Sequence, residues 1–145
     1  MVKEIIIASD HAGVELKSRI IQTFHAEDTA FTDLGPFDNS SVDYPDYAHP
    51  LSEQVSKKAG LGILICGSGN GVCMTANKYT NIRAALCWDV NLAELAKQHN
   101  NANVLCLPAR FISEKKALEI VKTFLDTEFE GGRHQRRVDK IALKQ

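Results

Sequence analysis

Residues 61–71 read LGILICGSGNG, and the fold turns on this stretch. Leu61 to Cys66 is an almost unbroken apolar run, as expected of a strand with both faces buried in the middle of a parallel sheet. The run breaks at once into Gly67, Ser68, Gly69, Asn70 and Gly71, after which helical periodicity takes over through Asn77. A glycine-rich strand-to-helix turn lets a ligand approach successive backbone amides and forms an anion nest at the carboxyl edge of a sheet. Gly67, Gly69 and Gly71 make GxGxG. That is not the dinucleotide fingerprint GxGxxG, and no Lys-Ser/Thr pair closes it as a P-loop. A purely structural turn is the competing reading.

The same alternation extends to both sides. Ile5 to Ala8, Ala30 to Leu34, Arg83 to Cys87 and Val104 to Leu107 complete a set of five expected strands. Between them, Val14 to Phe24, Pro45 to Lys58, Gly71 to Asn77, Val90 to His99 and Ser113 to Leu125 carry helical periodicity, the last with Ser113 as N-cap. Strands alternating with helices imply a parallel sheet covered on both faces, with the first and third strands central. Residues 35–44, rich in Gly, Pro, Asp, Asn and Ser, read as a surface loop. Gly131 and Gly132 then break the chain ahead of a terminal helix that sets Arg133, Arg136, Arg137, Lys140 and Lys144 on one side and Val138, Ile141 and Ala142 on another.

Composition bounds the rest. With 145 residues, 44% apolar, 24% charged and a net charge of -1, the chain fits one soluble domain spanning 1–145, without the basic balance of a nucleic-acid binder. Cys66, Cys73, Cys87 and Cys106 lie in or beside apolar segments without CxxC spacing, which suits a reducing compartment. The short apolar run after Lys3 and Glu4 is neither a signal peptide nor a membrane span, so the expectation is a cytoplasmic protein with no membrane partner. No repeated Cys/His spacing or HExxH motif marks a metal site, and none is expected.

Several polar residues sit where chemistry is done in such a fold. Cys66 ends a buried strand where the glycine turn opens, a setting that suits a thiolate base or nucleophile, although an unpaired cysteine is also an ordinary small core residue. Asp10 and His11 follow the first strand and approach Cys66 across the carboxyl edge; capping of the next helix is the alternative for Asp10. His99 and Asn100 end the fourth helix, where an imidazole also opposes the helix dipole. Arg133 and Arg137, four residues apart, can grip one dianion, with Arg110 after the fifth strand as a further phosphate ligand; a solvated basic tail is the plainer reading. Trp88, Tyr44, Tyr47 and Tyr79 read as packing or pocket-wall residues.

Taken in order, SDHAG at Ser9–Gly13, DYPDYA at Asp43–Ala48, CGSGNG at Cys66–Gly71, ANK at Ala76–Lys78, HNNANV at His99–Val104 and GGRHQRRV at Gly131–Val138 resemble the ribose-5-phosphate isomerase B family and its galactose-6-phosphate isomerase relatives. The resemblance spans nearly the whole chain. It implies a three-layer Rossmann-like α/β domain and a cofactor-independent aldose-ketose isomerase that opens the sugar ring and passes through a cis-enediolate. It also implies a homodimer, or a dimer of dimers, in which the Arg133/Arg137 helix of one chain completes the Cys66 pocket of the other. On the same ground Cys66 is the base, Ser68 assists proton relocation, and His99, helped by Asp10, opens the ring. Substrate contacts fall to Asp10, His11, Gly67, Ser68, Gly69, Asn70, Gly71, Asn100, Arg110, Arg133, His134 and Arg137. Where some relatives replace the cysteine with a glutamate on the next helix, Val72, Cys73 and Thr75 offer no carboxylate, and Ser68 stands for a frequent threonine.

Alternatives within this frame are a six-carbon substrate such as galactose 6-phosphate or allose 6-phosphate, and a silent phosphosugar-binding subunit. A nicotinamide dehydrogenase is disfavoured by the glycine spacing.

Overall fold

Five apolar runs in the chain become a five-stranded sheet of order β2-β1-β3-β5-β4, in which every pairing is parallel. The computed structural model describes residues 3–26, 28–58 and 60–144. The strands are β1 (Lys3–Ser9), β2 (Thr29–Asp33), β3 (Leu61–Cys66), β4 (Ala84–Leu86) and β5 (Val104–Pro108). The helices are α1 (Val14–Phe24), α2 (Pro45–Lys57), α3 (Asn70–Ala76), α4 (Val90–Gln98), α5 (Glu114–Asp126) and α6 (Arg133–Val138), with a short 3-10 turn at His11–Gly13 ahead of α1. As expected from its apolar run, β3 is central, flanked by β1 and β5.

Successive side chains of a strand point to opposite faces, and the core divides accordingly. Ile5, Ile7, Ile63, Ile65, Leu105 and Leu107 face Ile20, Ala93, Ala96, Ile120 and Phe124 of α1, α4 and α5. Ile6, Ala8, Leu64, Cys66, Val104 and Cys106 face Ala48, Leu51, Val55, Val72 and Ala76 of α2 and α3. The three layers match the expected α/β class. The sheet core is apolar with one notable charged neighbour: Lys17 on α1 is 1% exposed, its Nζ donating to Asp33 Oδ1 at 2.6 Å and to the Pro36 carbonyl at 2.7 Å.

Local chemistry fixes the helix starts that matter. Asp89 Oδ1 accepts from the Val90 amide at 2.7 Å to open α4, and Ser113 Oγ accepts from Lys116 N at 3.1 Å to open α5. The terminal helix is shorter than its two-faced pattern suggests. α6 ends at Val138, and the chain tightens into i→i−3 bonds from Lys140 N to Arg137 O and from Ile141 N to Val138 O, so Lys140, Ile141 and Lys144 lie beyond the helix. No helix among the described residues is long and apolar enough to cross a membrane.

Candidate active site

Parallel strands put their carboxyl ends on one edge, and the β1, β3 and β5 ends assemble the first group of polar residues. The Asp10 amide donates to the Ile65 carbonyl at 3.0 Å, which brings Asp10 and His11 beside the end of β3. Asp10 is 8% exposed, and its Oδ1 accepts from Ala12 N at 2.8 Å, so it does cap the 3-10 turn while standing next to Cys66. His11 Nδ1 accepts from the Val42 amide at 3.2 Å, which leaves its Nε2 as the donor to a ligand and ties the 35–44 loop to this edge.

Cys66 is 5% exposed at the last position of β3. The Gly69 amide donates to its Sγ at 3.1 Å, engaging the sulfur as an acceptor. Gly69 has φ 77°, and a Cβ there would fall 2.4 Å from Leu86 Cδ1 and 3.2 Å from the Leu107 carbonyl carbon. Only glycine meets both demands, and this is what folds the turn back so that its amide reaches the sulfur. Ser68 Oγ accepts from Asn70 N at 3.2 Å, holding the hydroxyl two residues from Cys66. Arg110 closes one side: its amide donates to the Gly67 carbonyl at 3.0 Å, and a Cβ on Gly67 would lie 3.3 Å from its Cδ and Nη1. The opposite wall is the Tyr44 ring, 2.5 Å from where a Gly71 Cβ would be.

A second group gathers at the other edge of the sheet. α4 runs back from the end of β4 to the start of β5, so His99, its C-cap, and Asn100 lie at the amino edge, where Asn103 N donates to the Arg83 carbonyl at 3.0 Å. α5 returns to the same edge, and the Glu130 amide donates to the Gln98 carbonyl at 3.1 Å. Gly131 and Gly132, with φ of 71° and 55°, then reverse the chain into α6. The reversal stacks the His134 ring on His99, with centroids 4.2 Å apart and planes 11° from parallel. Glu130 Oε1 stands 3.8 Å from His99 Nε2 and 3.5 Å from His134 Nε2. His134 is 7% exposed. Burial first, then the neighbouring His99 and Arg133, hold its imidazole below the usual histidine range, against the pull of Glu130. Arg133 and Arg137 are exposed and form no ion pair among the described residues.

The two groups are therefore separate within one chain. Asp10, His11, Cys66, Gly67 to Gly71 and Arg110 occupy the carboxyl edge; His99, Asn100, Arg133, His134 and Arg137 occupy the amino edge. The six residues of β3 lie between the edges, and at about 3.3 Å per residue they span roughly 17 Å. One residue of the second group has no mark in the sequence reading: Glu130, whose i,i+4 spacing to His134 is its hint in the chain; Tyr44 is the pocket-wall residue its position suggests.

The chain resembles known proteins over nearly its whole length. The family model described as Ribose/Galactose Isomerase matches residues 5–141. A probable ribose-5-phosphate isomerase B of Mycoplasma genitalium is 49% identical over 140 residues, covering 94% of this chain and 92% of that protein. The crystal structure of the Mycoplasma genitalium ribose-5-phosphate isomerase B with bound ribulose-5-phosphate superposes with a TM-score of 0.93 at 49% identity, covering 97% of this chain and 95% of that one. That of the Thermotoga maritima ribose 5-phosphate isomerase superposes with a TM-score of 0.93 at 46% identity and 97% coverage of both chains.

Proposed function

This chain belongs to the ribose/galactose isomerase family; it is an aldose-ketose isomerase that interconverts D-ribose 5-phosphate and D-ribulose 5-phosphate, and we propose that Cys66 is its base, at a site shared between two copies of the chain. The observation that carries the proposal is the contact between the Gly69 amide and Cys66 Sγ. A thiol against one amide of the glycine turn, with the neighbouring turn amides as donors to an enediolate oxygen, supports proton removal and charge stabilisation at one point.

The steps follow from the positions. His99, half-exposed at the end of α4, takes the O1 hydroxyl proton on Nε2 as the C1–O4 bond of the furanose breaks, while O4 takes up a proton from water. Cys66, as thiolate, takes the proton from carbon 2 of the open-chain aldose. Negative charge grows on the carbonyl oxygen, where the turn amides donate. The Ser68 hydroxyl relays a proton between the two oxygens, and Cys66 returns its proton to carbon 1 to give the ketose. The bonds balance without a cofactor. Arg133 and Arg137, without an ion pair among the described residues, supply the charge that a phosphate dianion requires, with Arg110 and His11 on the facing edge.

A homodimer supplies the missing half of each site. Two large apolar side chains at the carboxyl edge are free to meet a partner: Trp88 after β4 is 58% exposed and Phe111 after β5 is 76% exposed. The four free cysteines suit a cytosolic enzyme. Deuterium exchange at carbon 2 tests the base: Cys66→Ala folds and binds phosphosugar but loses exchange and turnover together. Exchange at the parent rate by a folded Cys66→Ala enzyme removes Cys66 from the role.

A further inference from the structure

We propose that His99, Glu130 and His134 form a binding site for one divalent cation of the zinc class, an inhibitory site rather than a cofactor site. No metal motif is visible in the sequence, because the three residues come from the end of α4, the loop after α5 and α6. The fold brings their ligand atoms within 4.8 Å of one another. The loop is held by the Glu130 amide on the Gln98 carbonyl at 3.1 Å, which ties the Glu130 backbone to the end of α4 and leaves its carboxylate free to swing.

The three groups face one another without bonding. Distances of 3.8 Å and 3.5 Å from Glu130 Oε1 to the two Nε2 atoms exceed those of hydrogen bonds. Two imidazoles and a carboxylate around an unbonded centre are a zinc-type donor set, whereas magnesium and calcium require oxygen ligands. Zinc bonds of about 2.0–2.2 Å at tetrahedral angles put ligand atoms roughly 3.3–3.5 Å apart, so the cluster must contract by little more than 1 Å. The His134 side chain, 9% exposed, is the fixed wall; those of His99, 39% exposed, and Glu130, 50% exposed, are free to close on the ion. The stacked rings do not yet aim at a common point, so His99 must rotate about its Cβ–Cγ bond. Arg133 and Arg137 nearby repel a cation, which selects for ions that gain strongly from nitrogen coordination. A fourth position is left to water.

The inhibitory character rests on the reading of His99 as the ring-opening group: an ion on Nε2 occupies the lone pair that the reaction uses. The test is a Co2+ titration of the metal-stripped full-length enzyme, followed in the visible spectrum, with Zn2+ as competitor. The expected result is one displaceable Co2+ per chain, with d–d bands and no thiolate-to-cobalt charge transfer. Glu130→Gln weakens binding by at least about tenfold, and Cys66→Ser leaves it unchanged. Should Glu130→Gln misfold, His99→Gln gives the same readout. Absence of saturable binding, indifference to both of these variants, or a charge-transfer band lost with Cys66→Ser overturns the site. Zn2+ is also expected to block turnover of cyclic ribose 5-phosphate. Binding without inhibition leaves the metal site standing and instead removes His99 from ring opening, so the two readings fail separately.

Discussion

A mixture of two inactive variants is expected to regain activity. Cys66→Ala disables the carboxyl-edge group and His99→Ala the amino-edge group, and the two groups lie at opposite ends of β3, roughly 17 Å apart at about 3.3 Å per strand residue. If each site takes one group from each chain of a two-fold dimer, a mixed dimer contains one site with both groups intact and one with both disabled. Random pairing makes about half the dimers mixed, with half of their sites whole, so about a quarter of the parent activity on cyclic substrate returns in the unfractionated mixture and about half in the isolated mixed dimer. The assay co-refolds the two variants, each with its own affinity tag, isolates the mixed species by sequential capture and measures ketose formation. A mixed dimer no more active than its parents refutes the shared site: it means that Cys66 and His99 of the same chain serve one substrate, or that one of them serves none.

Gly69→Ala is expected to lose stability and turnover together. A left-handed φ of 77° costs an L-residue about 1–2 kcal/mol, the contact with Leu86 adds about 1–3 kcal/mol, and the turn that relieves them moves the amide off Cys66 Sγ and lowers kcat; urea denaturation separates the parts, since adding Leu86→Ala relieves only the clash. Lys17→Ala strips the partner from Asp33 at 2.6 Å and from the Pro36 carbonyl, and is expected to lower stability by about 3 kcal/mol; an unchanged urea midpoint argues against a structural role for the pair. Burial, reinforced by the nearby Cys73, pushes the Cys87 thiol from 9.0 up to about 12. The unfolded chain therefore sheds this proton first, and the stability linked to it is complete below pH 9 and drains away as pH rises toward 12. A Cys87→Ala variant is expected to show a flatter alkaline stability profile than the parent; matching slopes would exclude Cys87 as a source of the alkaline loss.

The sheet was legible because burial on both faces writes itself into the chain as continuous apolar runs, and Leu61–Cys66 gave the central strand to the residue. α1 was equally plain, with its bounds at Val14 and Phe24. Features that depend on contacts distant in sequence were not. Lys17 looks like any lysine on an amphipathic helix, and only the fold reveals that it is buried against Asp33 and Pro36. The terminal helix was read as longer because its charge pattern continues to Lys144, whereas the backbone tightens after Val138. Glu130 stayed hidden for a similar reason. Its meeting with His99 and His134 depends on the positive φ angles of Gly131 and Gly132, and the glycines advertise a break without saying which way the chain turns. The two-edge split was available in principle, since any helix joining parallel neighbours must end at the edge opposite the strand ends.

That split has an energetic consequence. Arg133 and Arg137 sit four residues apart on a short helix and form no ion pair among the described residues, an arrangement in which the two charges repel each other. The charge is offset only when a dianion arrives, and in a shared site that dianion also touches Arg110 and His11 of the facing chain. A ligand that bridges two chains binds the pair and not the single chain, so it must favour association by the same free energy with which association favours it, about 2.7 kcal/mol at a hundredfold excess over Kd. With the site shared as proposed, substrate affinity and subunit association are one linked equilibrium, and a substitution that weakens association raises the apparent Kd for phosphosugar without touching the sugar.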